Sequence, residues 1–341
     1  MEGSIQEAGG LFTSEKYLQP LHDSGCASPA TGWTPLTATL GRLWYEKAHS
    51  WGEFVFDQAF ANAYEQRGQR YYPKRVCCVP FTPVPGPRLR STEIAALAEG
   101  EGAGSSHVLF LPDEEAAALL ARGWLRRTQA RYVWRNRGYG AFEDFLGALN
   151  SKRRKNIRAE RKAVATSGLR IEWRAASSLS EAEWREVFAL YTRTYRVRGQ
   201  QPYLKLACLQ AWAQNFPEQM LFCLARSESR IEAMAFFFRD GDALYGRHWG
   251  AAAEHDGLHF ELCCHQGIEY AIREKLSFFD AGVQGEHKLL RGFEPAQTQS
   301  MHWFAHPGFR AAIADYLKRE TAAMQQELEQ LGEHDGYREA Q

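Results

Sequence analysis

The stretch that decides the fold covers residues 219–249 and reads QMLFCLARSESRIEAMAFFFRDGDALYGRHW. It contains three apolar runs of strand length, separated by Ser-Glu-Ser at 227–229 and by a turn signal, Asp-Gly-Asp, at 240–242. Connections this short join antiparallel neighbours, because a parallel pair needs a crossover of about a dozen residues or more. The stretch therefore predicts a three-stranded antiparallel meander.

The elements around the meander complete a recognisable order. A helix over about residues 258–274 follows it, with Phe260, Cys264 and Ile268 on one face, and a strand at 276–281 comes next. The other elements predicted in this half are a strand at 169–174, helices from 180 and at 205–216, a further short strand at 301–305 and a last helix spanning 309–331. A meander followed by a helix, and by a strand that returns beside the third one, is the construction of the GNAT acyltransferase fold.

The first half of the chain shows a weaker echo of the same order. Strands are predicted at 33–40, 42–46, 71–80 and 130–134, and helices at 14–23, 56–67 and 114–122. We therefore predict an α/β fold with mixed, mainly antiparallel sheets, in two tandem GNAT-like domains packed together. Residues 1–140 would form a degenerate N-terminal domain. Residues 141–341 would form the acyltransferase domain, which includes a basic helix at 152–162.

The composition excludes several classes of protein. The 341 residues hold 41 Lys+Arg and 41 Asp+Glu, so the chain lacks the strong positive charge of proteins that bind nucleic acid through bulk charge. Its 7 cysteines include two adjacent pairs and follow no secretory signal, which indicates reduced thiols. The most apolar stretch, residues 231–238, is far shorter than the ~20 residues that span a bilayer. We expect a soluble, cytoplasmic protein without a membrane span.

Six segments resemble those of a known bacterial family, the Fem-like N-acyltransferases of the peptidoglycan biosynthesis/recognition type. They occur in one order over nearly the whole chain. The segments are Lys47–Asp57, Tyr71–Lys74, Lys152–Arg158, Tyr245–Gly250, Leu258–Ile268 and Gly285–Phe293. The resemblance implies tandem GNAT-like domains and no permanently bound cofactor. It leaves the co-substrate open, because Fem-type relatives use aminoacyl-tRNA and other GNAT enzymes use acyl-CoA.

One segment departs from the usual acyl-CoA enzymes. These carry Arg/Gln-x-x-Gly-x-Gly/Ala after the central strand, where backbone N–H groups at a helix N-terminus hold the pyrophosphate. The corresponding segment here, residues 251–258, has a single glycine, and its acids Glu254 and Asp256 repel phosphate. Elsewhere, residues 196–201 begin the motif and fail at its last position. The departure favours a Fem-like donor site over ordinary CoA binding.

The basic helix is the predicted site for the donor's phosphates. Seven of the residues from Lys152 to Lys162 are Lys or Arg and one is acidic, and an anionic partner would relieve their mutual repulsion. The alternative is a solvated helix face whose charges pair with the acidic C-terminal stretch. The candidate phosphate-binding residues are Lys152, Arg153, Arg154, Arg158 and Arg161.

Catalysis is predicted where the meander meets the following helix. Glu261 lies in the first turn of that helix, and its carboxylate could accept the proton of an attacking amine. His287 is the rival base, because imidazole titrates nearer neutral pH. Arg247 and His248 end the third meander strand, where the acyl carbonyl lies in this fold, with His248 as a further catalytic candidate. Strand alternation predicts that only one of these two faces the site.

Substrate-binding residues are predicted in two places. The first is a glycine-flanked cluster, for which a plain surface loop is the alternative. The second is the first domain, where a lysine could bind an anionic acceptor such as a phosphate or carboxylate. The candidates are Glu286, Lys288 and Arg291 in the cluster, with Arg247 beside them, and His49, Glu53 and Lys74 in the first domain.

We predict no metal site. His255 and His259 stand four residues apart, a spacing that can hold zinc on one helix face. However, Asp256-Gly257 precedes the helix, so the two histidines do not share a face.

These observations predict an N-acyl or aminoacyl transferase acting by direct attack of an amine. The tetrahedral oxyanion would be stabilised by a backbone N–H group and a nearby cation, without a covalent enzyme intermediate. The acceptor would be a small-molecule or peptide amine, and tRNA a partner if it carries the donor. The alternative is a non-catalytic GNAT-like module that binds a cell-wall precursor or RNA. The sequence does not reveal the acyl group or the oligomeric state.

Overall fold

The computed structural model describes residues 10–37, 40–96, 104–283, 285–333 and 337. The chain divides into two compact units. The first comprises Met1–Ala130 and Gln297–Leu328, and the second comprises Arg131–Ala296 and Glu329–Gln341. In the described part of the chain, no helix combines the length and the apolar character needed to cross a membrane.

Strands and helices alternate along the chain, as expected for an α/β protein. The strands are β1 (Trp33–Pro35), β2 (Trp44–Lys47), β3 (Lys74–Cys77), β4 (Ser105–Leu109), β5 (Leu125–Arg135), β6 (Arg170–Ala175), β7 (Met220–Arg226), β8 (Ile231–Asp240), β9 (Ala243–Ala251), β10 (Phe278–Asp280) and β11 (Glu294–Phe304). The helices are α1 (Gly10–Thr13), α2 (Glu15–Asp23), α3 (Gln58–Glu65), α4 (Ser91–Ala96), α5 (Asp113–Leu120), α6 (Phe142–Ala148), α7 (Ser151–Ala165), α8 (Glu181–Arg196), α9 (Leu206–Asn215), α10 (Leu258–Phe260), α11 (Gln266–Arg273) and α12 (Pro307–Glu333). A π-helical turn, Glu261–His265, separates α10 from α11.

The second unit contains the predicted meander. Strand β8 pairs antiparallel with both β7 and β9, and β6 pairs antiparallel with β7. After α10 and α11 the chain returns as β10, which lies parallel to β9. On its other side β10 pairs antiparallel with the end of β5. The predicted mixed, mainly antiparallel α/β fold is confirmed, including the meander–helix–strand order of the GNAT construction.

The strands of the first unit repeat this arrangement. Strand β2 pairs antiparallel with β1 and β3, and β4 then lies parallel to β3. Strand β11 closes the series by pairing antiparallel with β4. The weak echo in the first half of the sequence therefore corresponds to a second copy of the same strand order.

The units do not follow the predicted division at residue 140. Residues after Ala296 belong to the first unit, because β11 pairs with β4 and because α12 packs on the core of that unit. Conversely, residues 131–135 of β5 belong to the second unit, because they pair with β10. The core of the first unit that α12 completes consists of Phe60, Tyr64, Tyr71, Phe304, Phe309, Ile313 and Leu317.

Helix α8 packs unusually close to β9. Its start is fixed by a capping box, in which the Ser180 hydroxyl accepts a hydrogen bond from the backbone N–H of Glu183 at 3.3 Å. Near its end the Thr194 hydroxyl donates to the carbonyl of Trp249 at 2.8 Å. A Cβ atom on Gly250 would lie 2.3 Å from the carbonyl oxygen of Leu190. Only glycine therefore permits this backbone contact.

Replacing Gly250 with alanine is expected to destabilise the second unit by ~1–3 kcal/mol or more, since the methyl group meets backbone that cannot yield as a side chain would. The matched control is Gly147→Ala in α6, where a Cβ atom meets nothing within 4 Å. That change should be neutral or slightly stabilising. Urea unfolding of the two variants measures the difference, and equal stabilities would contradict the close contact.

Candidate active site

The site begins where β9 and β10 separate. Their parallel pairing covers only Ala243–Tyr245 opposite Phe278–Asp280. Strand β9 then runs on to Ala251, whereas β10 ends, so beyond Tyr245 no described residue of β10 pairs with β9. The stretch of β9 beyond Tyr245 therefore lies beside an opening in the sheet, and its Trp249 carbonyl accepts the hydrogen bond from Thr194.

A β-bulge lies at the same place. In the pairing of β8 with β9, Phe236 is opposite His248 and Phe237 is opposite Gly246, so Arg247 is the extra residue. Bulges redirect side chains and are frequent beside active sites. The bulge explains why both Arg247 and His248 line one cavity, although regular alternation had predicted that only one of them would.

The cavity has a volume of about 150 Å³. Its lining residues come from β8, from β9, from the helical segment that follows β9, and from the segment that follows β10. Apolar and small side chains form most of its lining, and two imidazoles and two cationic side chains supply the polar groups. The lining residues are Ala235, Phe236, Phe237, Gly246, Arg247, His248, Trp249, His259, Cys263, Cys264, Ala281 and Lys288.

One ring nitrogen of His248 is buried and lacks a hydrogen-bond partner among the described residues. Its Nδ1 lies 3.3 Å from the hydroxyl of Tyr195, and its Nε2 is inaccessible to solvent and has no hydrogen-bond partner among the described residues. Burial, with the nearby charge of Arg247, lowers the pKa of His248 to about 3, so the ring is neutral. Burial also raises the pKa of Tyr195 to about 12. If the protonated phenol donates to Nδ1, then Nε2 carries the hydrogen.

His259 is the second neutral imidazole of the cavity, and the sequence interpretation did not include it among the catalytic candidates. Its ring meets the edge of Trp249, with centroids 5.2 Å apart, and lies 5.9 Å from the ring of His287. Burial lowers its pKa to about 4, and the charges of His287 and Lys288 act in the same direction. His259 and Cys263 both line the cavity. They stand four residues apart, and helical residues at that spacing share a face, so this spacing is the sequence signal that could have placed His259 in the cavity.

Two of the predicted cluster residues lie next to the cavity. Lys288 lines it, and its ammonium group donates a hydrogen bond to the backbone carbonyl of Ala281. Burial lowers the pKa of Lys288. His287 is solvent-exposed, its ring lies 5.4 Å from that of Phe260, and partial desolvation lowers its pKa. The side chain of Glu286 lies outside the described part of the structure.

Glu261 does not occupy the place predicted for a catalytic base. Its carboxylate is buried and accepts a hydrogen bond from Gln266 at 2.8 Å, with the Arg161 guanidinium 3.4 Å away. It is absent from the described residues that line the cavity. Two helical positions after His259 correspond to a rotation of about 200°, which turns the side chain away. The Oε1 atom of Glu261 therefore faces Gln266 and Arg161, whereas its Oε2 is buried and has no hydrogen-bond partner among the described residues.

Arg291 is also engaged elsewhere. Its guanidinium forms a buried ion pair with Glu160 of α7 and donates to the backbone carbonyl of His287 at 2.7 Å. The guanidinium carbon lies 3.4 Å from the ring centroid of Phe260. Glu160 also accepts from His265 at 2.8 Å. Arg291 was predicted to contact the substrate. In the structure its guanidinium instead holds the 286–291 segment against α7.

The basic helix α7 is partly committed to internal ion pairs. Arg158 pairs with Glu143 at 2.6 Å, and Arg161 pairs with Glu269 at 2.6 Å. These acids belong to the second unit and not to the acidic C-terminal stretch, whose residues 334–336 and 338–341 lie outside the described part. Among the predicted phosphate-binding residues, no ion pair within the described part of the chain engages Lys152 or Arg154, and both remain candidates together with Arg153.

The predicted acceptor site in the first unit is a closed ion cluster. Lys74 is 1% exposed and pairs with Glu53 at 2.7 Å and with Asp57, and it donates to Ser50 at 2.8 Å. Tyr71 donates to Asp57 at 2.6 Å. A lysine that is buried and already paired with two carboxylates cannot bind an anionic acceptor. His49 does not contact Lys74; its Nδ1 accepts from the backbone N–H of Trp51 at 3.2 Å.

The two carboxylates of this cluster differ in their protonation. Burial raises the pKa of Glu53 to about 7, against the opposing charge of Lys74. Burial would also raise the pKa of Asp57, but Lys74 and the hydrogen bonds from Ser50 and Tyr71 outweigh it, so that this pKa lies below its usual value. Asp57 is therefore the permanent counter-ion of Lys74.

In the first unit, the counterpart of the β9–β10 opening is filled by the chain itself. Strands β3 and β4 pair in parallel only up to Cys77 and Val108. Beyond them the backbone N–H of Gly86 donates to the carbonyl of Phe110 at 3.0 Å, and the guanidinium of Arg88 donates to the carbonyl of Leu109 at 2.9 Å. The buried Arg88 thus closes the crevice.

Among the described residues, no three His, Cys, Asp or Glu side chains come together in an arrangement that could hold a metal ion.

The strand order of both units defines a tandem GNAT-like protein. The sequence model of the FemAB-like family, described as peptidoglycan biosynthesis/recognition, matches residues 4–339, and the chain belongs to this family. No curated protein matches the chain. With the fold, membership of this family favours an acyl or aminoacyl transferase in general terms.

Solved structures share the fold at low sequence identity. FemX aligns over 91% of this chain and 96% of its own, with 9% identity and a TM-score of 0.53. L-PGS from Bacillus licheniformis aligns over 92% of this chain and 98% of its own, with 10% identity and a TM-score of 0.50. The C-terminal DUF2156 domain of a protein from Agrobacterium fabrum, named as a lysylphosphatidylglycerol synthetase, covers 72% of this chain and 82% of its own, with 12% identity and a TM-score of 0.50.

Replacing Lys74 with methionine tests the closed cluster. The change leaves Asp57 and Glu53 buried without their counter-ion, and is expected to cost ~3–5 kcal/mol of unfolding free energy at pH 7. Lys155→Met on the exposed side of α7 is the matched control and should change it by less than ~0.5 kcal/mol. Denaturant unfolding measures both. A Lys74 variant as stable as the control would show that the lysine is free to serve a ligand.

Proposed function

We propose that this chain transfers an acyl group from an activated donor to an amine, in the cavity between β9 and β10. The observation that carries the proposal is the cavity lined by His248, whose Nε2 is buried and has no hydrogen-bond partner among the described residues, beside the stretch of β9 that β10 no longer flanks. A polar nitrogen left unpaired in such a place is costly unless a ligand supplies its partner. A carbonyl oxygen is a partner of the right polarity.

The donor's acyl arm would lie along the unpaired edge of β9. Backbone groups beyond Tyr245 can hydrogen-bond to the amide groups of an extended ligand, as a neighbouring strand would. In this proposal the acyl carbonyl lies close to His248, beside the bulge at Arg247. The donor's carrier is either tRNA or CoA. Either one brings phosphates, for which Lys152, Arg153 and Arg154 are the proposed partners.

The developing oxyanion would be stabilised by hydrogen bonding and by charge. In the tautomer described above, His248 donates from Nε2 to the oxygen of the tetrahedral intermediate. The cations Arg247 and Lys288, which also line the cavity, add positive potential in surroundings of low dielectric constant. Because the pKa of His248 is about 3, the ring stays neutral throughout the neutral pH range.

His259 would accept the proton of the attacking amine. It lines the cavity, its ring is neutral, and the solvent-exposed His287 lies beside it to pass the proton on to water. As the amine nitrogen forms its bond to the acyl carbon, it loses a proton to His259. The bond between that carbon and the carrier's oxygen or sulfur then breaks, and the departing oxygen or sulfur takes up a proton from water, which balances the proton released through His287. No covalent enzyme intermediate is required.

His259→Gln and Glu261→Gln separate the two candidate bases. We expect His259→Gln to lower turnover by ~10²–10⁴, whereas Glu261→Gln should keep it within a few-fold of wild type. Turnover is measured with radiolabelled aminoacyl-tRNA and acetyl-CoA in parallel, against a panel of peptide and amino-sugar amines. The reverse ranking of the two variants would restore Glu261 as the base. A folded protein that transfers nothing from either donor would favour the non-catalytic binding module.

The donor-phosphate proposal has its own test. Replacing Lys152, Arg153 and Arg154 together with glutamine should raise the donor's dissociation constant and flatten its dependence on salt, because each lost phosphate contact reduces the slope of log K against log[salt] by about 0.7–0.9. The control removes three exposed charges elsewhere: Arg170, Arg185 and Lys318 to glutamine. If both triple variants bind the donor alike, α7 is only a solvated face.

A further inference from the structure

We infer that two tyrosines of α8, Tyr191 and Tyr195, form a hydrogen-bond relay that fixes the tautomer of His248. The relay begins at the backbone N–H of Leu204. The inference rests on the proposed function and deepens it, because it names the residues that position the oxyanion donor. It also makes residues 197–205, which link α8 to α9, part of the site, although none of them is among the described residues that line the cavity.

The relay begins at a group that can only donate. The backbone N–H of Leu204 donates to the hydroxyl oxygen of Tyr191 at 3.0 Å, and both residues are buried. A phenol oxygen that accepts this hydrogen bond still carries its own hydrogen, and a buried hydroxyl needs an acceptor for it. The direction of the relay is therefore set from the Leu204 end.

The hydroxyl oxygen of Tyr195 accepts that hydrogen. The two tyrosines stand four residues apart in α8, so they share one face of the helix, and their ring centroids are 5.1 Å apart. Burial raises the pKa of Tyr195 to about 12, and the hydrogen bond from Tyr191 acts in the opposite direction. At neutral pH Tyr195 therefore keeps its own hydrogen and can donate it in turn.

The relay ends at His248, whose Nδ1 lies 3.3 Å from the hydroxyl of Tyr195. Because the oxygen of Tyr195 already accepts from Tyr191, its own hydrogen is the one that points to Nδ1. In a neutral imidazole one nitrogen accepts and the other carries the hydrogen, so Nε2 is the donor. This Nε2 is buried without a partner among the described residues, and its hydrogen is offered to a ligand oxygen.

Contacts between α8 and β9 hold the relay in place. The hydroxyl of Thr194 donates to the carbonyl of Trp249 at 2.8 Å, and Gly250 meets the backbone of α8 so closely that only glycine fits. The ring of His248 also packs edge-on against Tyr191, with centroids 5.0 Å apart and an interplanar angle of 80°. The imidazole is therefore locked by packing as well as by hydrogen bonds, as a precise site requires.

Nitrogen-15 NMR of His248 in the full-length protein tests the relay. In the wild type we expect Nδ1 without hydrogen. Tyr195→Phe removes the donor to Nδ1, so the Nδ1 resonance should move and part of the population should carry hydrogen on Nδ1. Tyr191→Phe should move the resonance less but in the same direction, because the polarisation of the Tyr195 hydroxyl is lost. The control Tyr316→Phe removes a hydrogen-bonded hydroxyl from α12 and should move nothing.

Two results of this measurement overturn the relay. One is hydrogen on Nδ1 in the wild type, or an Nδ1 resonance that stays unchanged in folded Tyr195→Phe. The other is a folded Tyr191→Phe variant that behaves like the control. If Tyr191→Phe, which leaves the N–H of Leu204 unpaired, fails to fold, the wild-type tautomer and the Tyr195 variant decide.

Turnover separates positioning from packing. Removing an oxyanion donor outright costs ~10²–10³ in kcat, and the loss of a fixed tautomer should cost less, so we expect about a tenfold decrease in kcat for Tyr195→Phe. KM should stay within about twofold, because the interaction is made in the transition state. In a His248→Gln background, Tyr195→Phe should have little further effect, because Tyr195 acts through His248. An equal loss in both backgrounds would show that Tyr195 only packs.

The NMR and turnover results separate this inference from the proposed function. A tautomer that responds to the variants, in a protein that transfers nothing from either donor, would retain the relay and contradict the transferase. Transfer by a wild-type protein with hydrogen on Nδ1 of His248 would retain the transferase and contradict the relay.

Discussion

The short pairing of β9 with β10 is the constraint on which the site depends. Three residues of contact hold the strands together, and the bulge at Arg247 then turns β9 away from regular pairing. The opening exposes a strand edge and directs two successive side chains, Arg247 and His248, into one cavity. Everything proposed for the chemistry follows from this divergence, because a β10 extended beside β9 would fill the crevice with backbone.

The first unit shows what happens when the same opening is closed. Its β3–β4 pair diverges in the same way, but Arg88 and Gly86 satisfy the freed carbonyl groups from within the chain. Its titratable residues form an internal cluster around Lys74. A duplicated fold has thus retained one open crevice, and in the other the polar groups serve stability.

The sequence predicted the parts of the fold that depend on local patterns. Alternating apolar residues and short links sufficed for the meander. Three of the predicted residues line the cavity: Arg247 and His248 at the end of the meander, and Lys288 after β10. Features set by distant contacts could not be predicted. The Glu160–Arg291 ion pair joins residues far apart in the chain, and the return of β11 to the first unit leaves no local signal. The orientation of Glu261 was accessible from helical periodicity.

The state of His248 tests the central claim most directly. Nitrogen-15 NMR of the imidazole reports which nitrogen carries hydrogen and whether the ring titrates. The account predicts a neutral ring with hydrogen on Nε2 from pH 5 to pH 8, since its pKa lies at about 3, and a shift of the Nε2 resonance when a small amide enters the cavity. A ring that titrates near its ordinary pKa, or that carries hydrogen on Nδ1, would contradict the account.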